Sequence, residues 1–355
     1  MIEGKRPGDT PTNYTVMPSL THWTKILGFK AKVEDFDTYS TVELSAEHLL
    51  ANLAREHLSD CAVLQPQHVS PSSVESLLPG VVPSADSPDY DSFVTMQEKC
   101  ASLVGSFIYL GQVYLQLQQL SNALAACASS YSPGHYKAAR HGLMHMIAHP
   151  VPWRAGGPGC NSLLAPPVRV APHDPTGVID DALYGMVDAN LASPRLPSDA
   201  CKASSRSVTG VAIMLARVCV DGGSNRQHLA VADVHSSEVN AAGSGLQRVC
   251  VIAETLREFY IAYEEPVPVY VDSESTLLVG NNERSVKRSV WTIRRAVVLQ
   301  EAVAHKVVSL HKIDEVRNIA DLFTKYLKFK RWKTHIDVLL NADRTVPRAP
   351  VEWRL

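Results

Sequence analysis

Four carboxylates stand at the edges of predicted elements: Asp188, Glu238, Asp272 and Asp321. Asp272 ends the apolar run VPVYVD (267–272), and Asp188 lies near the end of LYGMVDAN (183–190). Glu238 falls in the first turn of a predicted long helix, and Asp321 opens a later helical region. If these acids meet, electrostatics restricts what they do. Two like charges ~4 Å apart repel by ~4 kcal/mol at an effective dielectric near 20. Four ionised groups therefore need protons or cations, and Mg2+ is a hard ion that takes oxygen ligands. Two such ions ~3.5–4 Å apart clamp the attacking and leaving oxygens of a phosphodiester. Each acid also has a local structural reading. Asn318 with Asp321 fits a helix cap and its N3 acid, and Glu238 suits a helix dipole. Asp188 opens a plausible D-A-N turn, and Asp272 is placed to cap the helix after it. Only the ordered set D, E, D, D at element boundaries favours joint chemistry.

The elements that must position these acids are legible from periodicity. LYGMVDAN (183–190), VTGVAIMLARVCV (208–220) and QHLAVADV (227–234) read as three strands, with DGGSN (221–225) as a turn. A long helix is predicted from Ser236 or Ser237, with Val239, Ala242, Leu246, Val249, Ala253, Leu256 and Phe259 on its apolar face. VPVYVD reads as a central fourth strand, 273–304 as helical, VVSLHKI (307–313) as a fifth strand, and 319–340 as helical. Three adjacent strands suit an antiparallel meander, and the later β-α-β units suit parallel additions. The first and fourth strands then become neighbours at the sheet centre.

The chain has 355 residues, which implies more than one core. With 45% hydrophobic and 20% charged residues, the composition is that of a globular protein. No apolar run reaches the ~18 residues of a membrane span. The first residues, MIEGKRPGDT, carry no apolar signal-peptide core. Seven scattered cysteines without a C-x-x-C argue against a zinc site and a disulfide framework. The expectation is an intracellular protein, cytoplasmic or nuclear, without a membrane partner. Pro- and Ser- or Gly-rich stretches at 64–92 and 149–177 read as loops or linkers. Between them 93–147 reads as helical, with Leu103, Phe107, Leu110, Val113, Leu117 and Leu120 at helical spacing. The predicted organisation is a first region 1–150, a linker 151–177 and an α/β domain 178–345. Net charge is −2, yet the window 284–333 holds thirteen Lys or Arg against four Asp or Glu. Such an excess attracts a phosphate backbone, or marks a solvated helix face.

Four segments carry a resemblance to the C-terminal part of the Ty1/copia retrotransposon polyprotein, the end of the reverse transcriptase and the RNase H domain. VDANLA (187–192) resembles the first RNase H aspartate motif, and SSEVNAA (236–242) the S-S-x-E-A-E-Y helix start. VDSESTLL (271–278) resembles the C-D-N-x-S-A segment, and NIADLFTKYL (318–327) the N-x-A-D-I-F-T-K-x-L signature. Upstream, residues 26–61, CASLVGSFIYL (100–110) and HYKAARHGLMHM (135–146) are similar to the segments that follow the polymerase centre. The chain departs from the family in four places. No Y-x-D-D motif occurs, T-R-P-D-I is replaced by LQLQQLSNA, and the K-H-I-D segment reads RSVWTI. The tryptophan of W-x-S-K-x-Q is absent, although Ser224, Arg226 and Gln227 remain.

The resemblance implies an α/β (α+β) fold: an RNase H-like mixed five-stranded sheet with flanking helices, after a mainly helical thumb/connection-like region. It implies a metal-dependent endoribonuclease that cuts the RNA strand of an RNA–DNA hybrid, without polymerase activity. It also implies two Mg2+ ions, replaceable by Mn2+. One is held by Asp188 and Asp321 with Asp272 shared, and the other by Asp188, Glu238 and Asp272. His311 stands where related enzymes carry a histidine that helps product leave; its other reading is a polar residue at a strand end. Ser224, Arg226, Gln227 and Asn318 are the implied substrate contacts, and the rest of a reverse transcriptase is the implied partner. The rival expectation is a diverged, inactive nucleic-acid-binding or scaffolding module. A retroviral-type integrase core shares the fold but orders its acids D, D, E.

Overall fold

The computed structural model describes residues 25–26, 29–35, 40–59, 74, 77–149, 153–156, 183–191, 206–215, 218–228, 230–231, 233–258, 263–282, 290–325 and 327–339. Among these, the first half holds strands β1 (Lys25–Ile26), β2 (Phe29–Asp35) and β3 (Ser40–Ser45) and helix α1 (Glu47–His57). Helices α2 (Tyr90–Leu110), α3 (Gln118–Ala125) and α4 (Pro133–Ala148) follow, then strand β4 (Trp153–Gly156). The helical spacing read from the sequence holds, since Leu103, Phe107, Leu110, Val113, Leu117 and Leu120 are all buried in one core. The stretch read as one helical region is three helices. β4 closes an antiparallel sheet in the order β1-β2-β3-β4. It therefore places part of the 149–177 stretch, read as loop or linker, in a ladder with β3. Most of that stretch lies outside the described residues, as does most of 60–76.

The second half is the five-stranded mixed sheet that the sequence predicts. Its strands are β5 (Leu183–Asn190), β6 (Val208–Leu215), β7 (Val218–Arg226), β8 (Val267–Val271) and β9 (Val308–Lys312). The order is β7-β6-β5-β8-β9. β5, β6 and β7 form an antiparallel meander, and β8 and β9 run parallel to β5. Helix α5 (Val234–Glu258) packs on one face, where Ala242, Leu246 and Val249 meet Val187, Ile213 and Val269. Helices α6 (Glu274–Gly280) and α7 (Val290–Ala304) follow β8. The other face is covered by a 3-10 turn, Ile319–Phe323, and by α8 (Phe329–Leu339). There Met186, Ala212 and Met214 pack on Phe323 and Trp332.

Four local readings are corrected. The apolar run 208–220 is not one strand; it breaks after Leu215, and β7 begins at Val218. Both strands of this hairpin bury residues on both faces, so hydrophobicity continues across the break and hides it. DGGSN is accordingly part of β7 rather than a turn, and none of the described residues of 227–234 forms a strand. Gly222 allows close approach there: a Cβ would lie 3.1 Å from Phe323 Cζ. The long helix also begins earlier than predicted, at Val234. Asp233 serves as its cap, accepting from the Ser236 backbone N–H at 2.7 Å and from the Ser236 hydroxyl at 3.0 Å.

Candidate active site

Asp188 lies within β5 at the sheet centre, paired with Gly210 of β6. The glycine matters because the turn carrying Asp321 presses against it. A Cβ at position 210 would lie 2.5 Å from the Ala320 carbonyl oxygen and 2.7 Å from Thr324 Cγ2. That turn is fixed by Asn318, whose side chain donates to the Val187 carbonyl at 2.9 Å and accepts from the Ala320 N–H at 3.2 Å. Thr324 completes the clasp: it donates its hydroxyl to Asp188 Oδ2, and its carbonyl accepts from the Asn190 amide at 3.1 Å. Glu238 approaches from α5, one turn into the helix. Asp272 follows β8 and does not cap the next helix. Ser273 does so, accepting from the Thr276 N–H at 3.3 Å. The capping explanation for Asp272 thereby lapses, and the D-A-N turn for Asp188 gives way to a strand.

All four carboxylates converge. One oxygen from each of Asp188, Glu238 and Asp272 lies within 4.8 Å of the others. Asp188 and Asp321 share a cation, the Lys325 ammonium, at 3.1 and 3.0 Å, and Asp272 lies 3.6 Å from it. Arg331 of α8 meets the other Asp321 oxygen at 2.5 Å. Asp188 and Asp321 are wholly buried, Glu238 is nearly so, and Asp272 is the most open of the four. An open cleft of about 540 Å³, lined by Glu238, Asp272, Ser273, Lys312 and Lys325, leads from solvent to the acids.

Burial raises the Asp188 carboxyl above the ordinary carboxylate range, and Asp321 beside it adds to the rise. Glu238 is pushed up to about 9, first by burial and then by Asp188 and Asp272. Asp321 is also raised, because burial outweighs the help of Lys325. For Lys325, burial opposes the charge, but Asp188 and Asp321 outweigh it and lift its pKa above that of an ordinary lysine. The site thus stores negative charge that protons and two basic side chains only partly relieve. A divalent cation fits this donor set. The oxygens are hard, and the buried Asp188 Oδ1 has an ionic partner but no hydrogen bond.

The remaining predicted residues lie on β7, just after it, and on β9. Ser224 is buried in β7 and accepts from the Asn122 amide of α3 at 2.9 Å. Gln227 is buried and donates to the Thr209 hydroxyl at 3.1 Å and to the Ser237 carbonyl at 2.9 Å. Arg226 ends β7 and is half-buried. His311 is exposed on β9, against the Tyr270 ring and 2.8 Å from the Ser309 hydroxyl. The sequence reading did not single out Lys325, Thr324 and Arg331. The signal for Lys325 was its spacing four residues after Asp321, where an acid and a base face each other on a helical turn. The basic run splits accordingly. Lys325 and Arg331 turn towards the acids, while Lys312, Lys328, Lys330 and Lys333 are exposed. Arg284, Lys287 and Arg288 lie outside the described residues.

No protein-family model and no curated protein matches this chain. Among solved structures, the chain is similar to RNase H1 from the halophilic archaeon Halobacterium salinarum NRC-1. The identity is 16% and the TM-score 0.25, over 38% of this chain and 88% of that one. It is also similar to the N-terminal RNase H domain of rv2228c from Mycobacterium tuberculosis, solved as a fusion with maltose-binding protein. There the identity is 15% and the TM-score 0.27, over 43% of this chain and 96% of that one. The order and directions of the five strands define the mixed sheet independently of these similarities.

Proposed function

We propose that this chain is the RNase H part of a copia-type retroelement and hydrolyses the RNA strand of an RNA–DNA hybrid. The observation that carries the reading is the convergence of Asp188, Glu238 and Asp272 within 4.8 Å, beside Asp321, at the centre of a mixed sheet. Mg2+ is the proposed ion, and Asp188, Glu238 and Asp272 would hold it. When bound, such an ion lowers the pKa of water and stabilises charge on phosphate oxygens.

The chain's own residues supply position and charge. Thr324 and Asn190 hold the acid-bearing turn against β5. Lys312 donates to the Asp272 carbonyl and so fixes the backbone at the cleft. The exposed Lys328, Lys330 and Lys333 offer a basic rim for hybrid backbone. Arg226, and His311 in product release, keep their proposed parts in substrate handling. Ser224, Gln227 and Asn318 act through the scaffold, since their polar groups serve Asn122, Thr209, Ser237, Val187 and Ala320.

The test is cleavage of a labelled RNA–DNA hybrid with Mg2+ by the wild-type chain and by Asp272→Asn. Losing one carboxylate ligand is expected to lower the rate by about 100-fold or more. Equal cleavage by the two proteins overturns the assignment.

One observation favours a second reading, a non-catalytic nucleic-acid-binding module: Lys325 and Arg331 already neutralise part of the acidic cluster. Thermal unfolding with and without Mg2+ separates the two. A metal-binding site is stabilised by the ion, because the unfolded chain does not assemble it. An unchanged Tm supports the binding module.

A further inference from the structure

We infer that the site takes a single divalent cation, and that the Lys325 ammonium stands permanently where a second ion would otherwise sit. The inference rests on the metal-dependent reading above and narrows it from two ions to one.

Lys325 Nζ lies 3.1 Å from Asp188 Oδ1, 3.0 Å from Asp321 Oδ1 and 3.6 Å from Asp272 Oδ2. These are the same three carboxylates that the resemblance assigns to one of the two ions. Their other oxygens are largely committed. Asp321 Oδ2 receives Arg331 at 2.5 Å, so both oxygens of Asp321 face a cationic side chain. Asp188 Oδ2 receives the Thr324 hydroxyl. The trio whose oxygens come together for an ion is Asp188, Glu238 and Asp272, and Asp321 is not in it.

The lysine is also held in place. Its backbone N–H donates to the Asp321 carbonyl at 2.9 Å, within the turn that Asn190 and Asn318 clamp to β5. To leave, the ammonium must strip the wholly buried Asp188 of its counter-charge and leave the wholly buried Asp321 with Arg331 alone, an unfavourable exchange in a low-dielectric site. Charge balance points the same way. One divalent ion with Lys325 and Arg331 matches four ionised carboxylates. A second ion would be repelled by the ammonium at close range.

The probe is Mn2+, titrated into the metal-free full chain, with free Mn2+ read from its paramagnetic resonance signal. Wild type is expected to bind one Mn2+ per chain with an uncoupled spectrum. Asp321→Asn should still bind one, with affinity lowered by no more than about 100-fold, as for a partner outside the ligand set. Glu238→Gln should weaken binding by more than that. Lys325→Met should bind two ions, with the spin coupling of neighbouring Mn2+. If Lys325→Met fails to fold, Asp321→Asn alone decides, because a two-ion site would lose an ion with that ligand. Two ions in wild type overturn the single-ion inference, and loss of the ion in Asp321→Asn overturns the assignment of Asp321 to Lys325; both leave the metal reading intact. A folded Lys325→Met that stays at one ion overturns the part given to the lysine. No bound Mn2+ in wild type overturns both the inference and the metal reading.

Discussion

Glu238 is the acid through which pH acts most directly on this fold. Its carboxyl titrates near 9 in the folded chain against 4.5 as its ordinary value, so the folded state retains a proton that the unfolded state has lost. The sign follows from linkage: where the native state binds more protons, stability falls as pH rises. Without divalent cation, stability should therefore decline from about pH 4.5 to about pH 9, and the burial-raised Asp188 adds to the same slope. The contribution of one such group approaches roughly 1.4 kcal/mol per pH unit. Glu238→Gln keeps the shape and removes the titration, so urea midpoints of this variant should show a flatter pH profile than wild type. An unchanged slope would show that Glu238 is not protonated in the native state. Excess Mg2+ should also flatten the wild-type profile, because the ion competes with the proton for the same oxygens.

At the scale of elements, the site depends on how closely a turn approaches a strand. The 3-10 turn Ile319–Phe323 lies on β6 because Gly210 leaves room for the Ala320 carbonyl. α5 reaches β5 for a similar reason: a Cβ at Gly245 would lie 2.2 Å from Val187 Cγ1. Gly210→Ala is expected to push the turn outward, to destabilise by about 1–3 kcal/mol, and to weaken Mn2+ binding as Asp188 loses its Thr324 clasp. Denaturant melts and Mn2+ titration of the same variant check both halves. Wild-type stability together with wild-type affinity would mean that the turn tolerates displacement. These glycines are also why element boundaries were hard to read. In β7, Gly222 and Gly223 resemble a turn by composition, yet they serve contact with Phe323 and Arg248.

At the scale of the molecule, the two halves share apolar contacts. Leu115, from the helical half, is buried with Tyr184, Phe323 and Trp332 of the α/β half. His145 of α4 packs edge-on to Trp332 with centroids 5.3 Å apart, and His149 lies 5.8 Å from the Phe329 ring. Asn122 ties α3 to β7 through Ser224. Far-UV circular dichroism and tryptophan fluorescence should therefore report coincident unfolding midpoints, the mark of one cooperative unit. Leu115→Ala should lower that common midpoint by about 2–5 kcal/mol of stability. Separate transitions in wild type would mean that the contact does not couple the halves. Among the described residues, no helix is long and apolar enough to cross a membrane.

The sequence by itself determined the antiparallel meander with its parallel additions, the apolar face of the long helix and the ordered set of acids, while it misplaced the third strand. Alternation, period and burial are local properties, and the buried Val239, Ala242, Leu246 and Val249 record them residue by residue. It also carried competing explanations for each acid, because capping and chemistry use the same residue types at the same positions. Tertiary structure decided between them, except at Asp321, where Asn318 does cap the turn and the acid still joins the cluster. It gave the cap of α5 to Asp233 and that of α6 to Ser273, and left Glu238 and Asp272 to the cluster. It also chose, among the described bases of that window, which turn inward, Lys325 and Arg331, and which stay in water, Lys312, Lys328, Lys330 and Lys333. That choice depends on the desolvation of charges brought together across 136 residues of chain between Asp188 and Thr324, which no local pattern encodes.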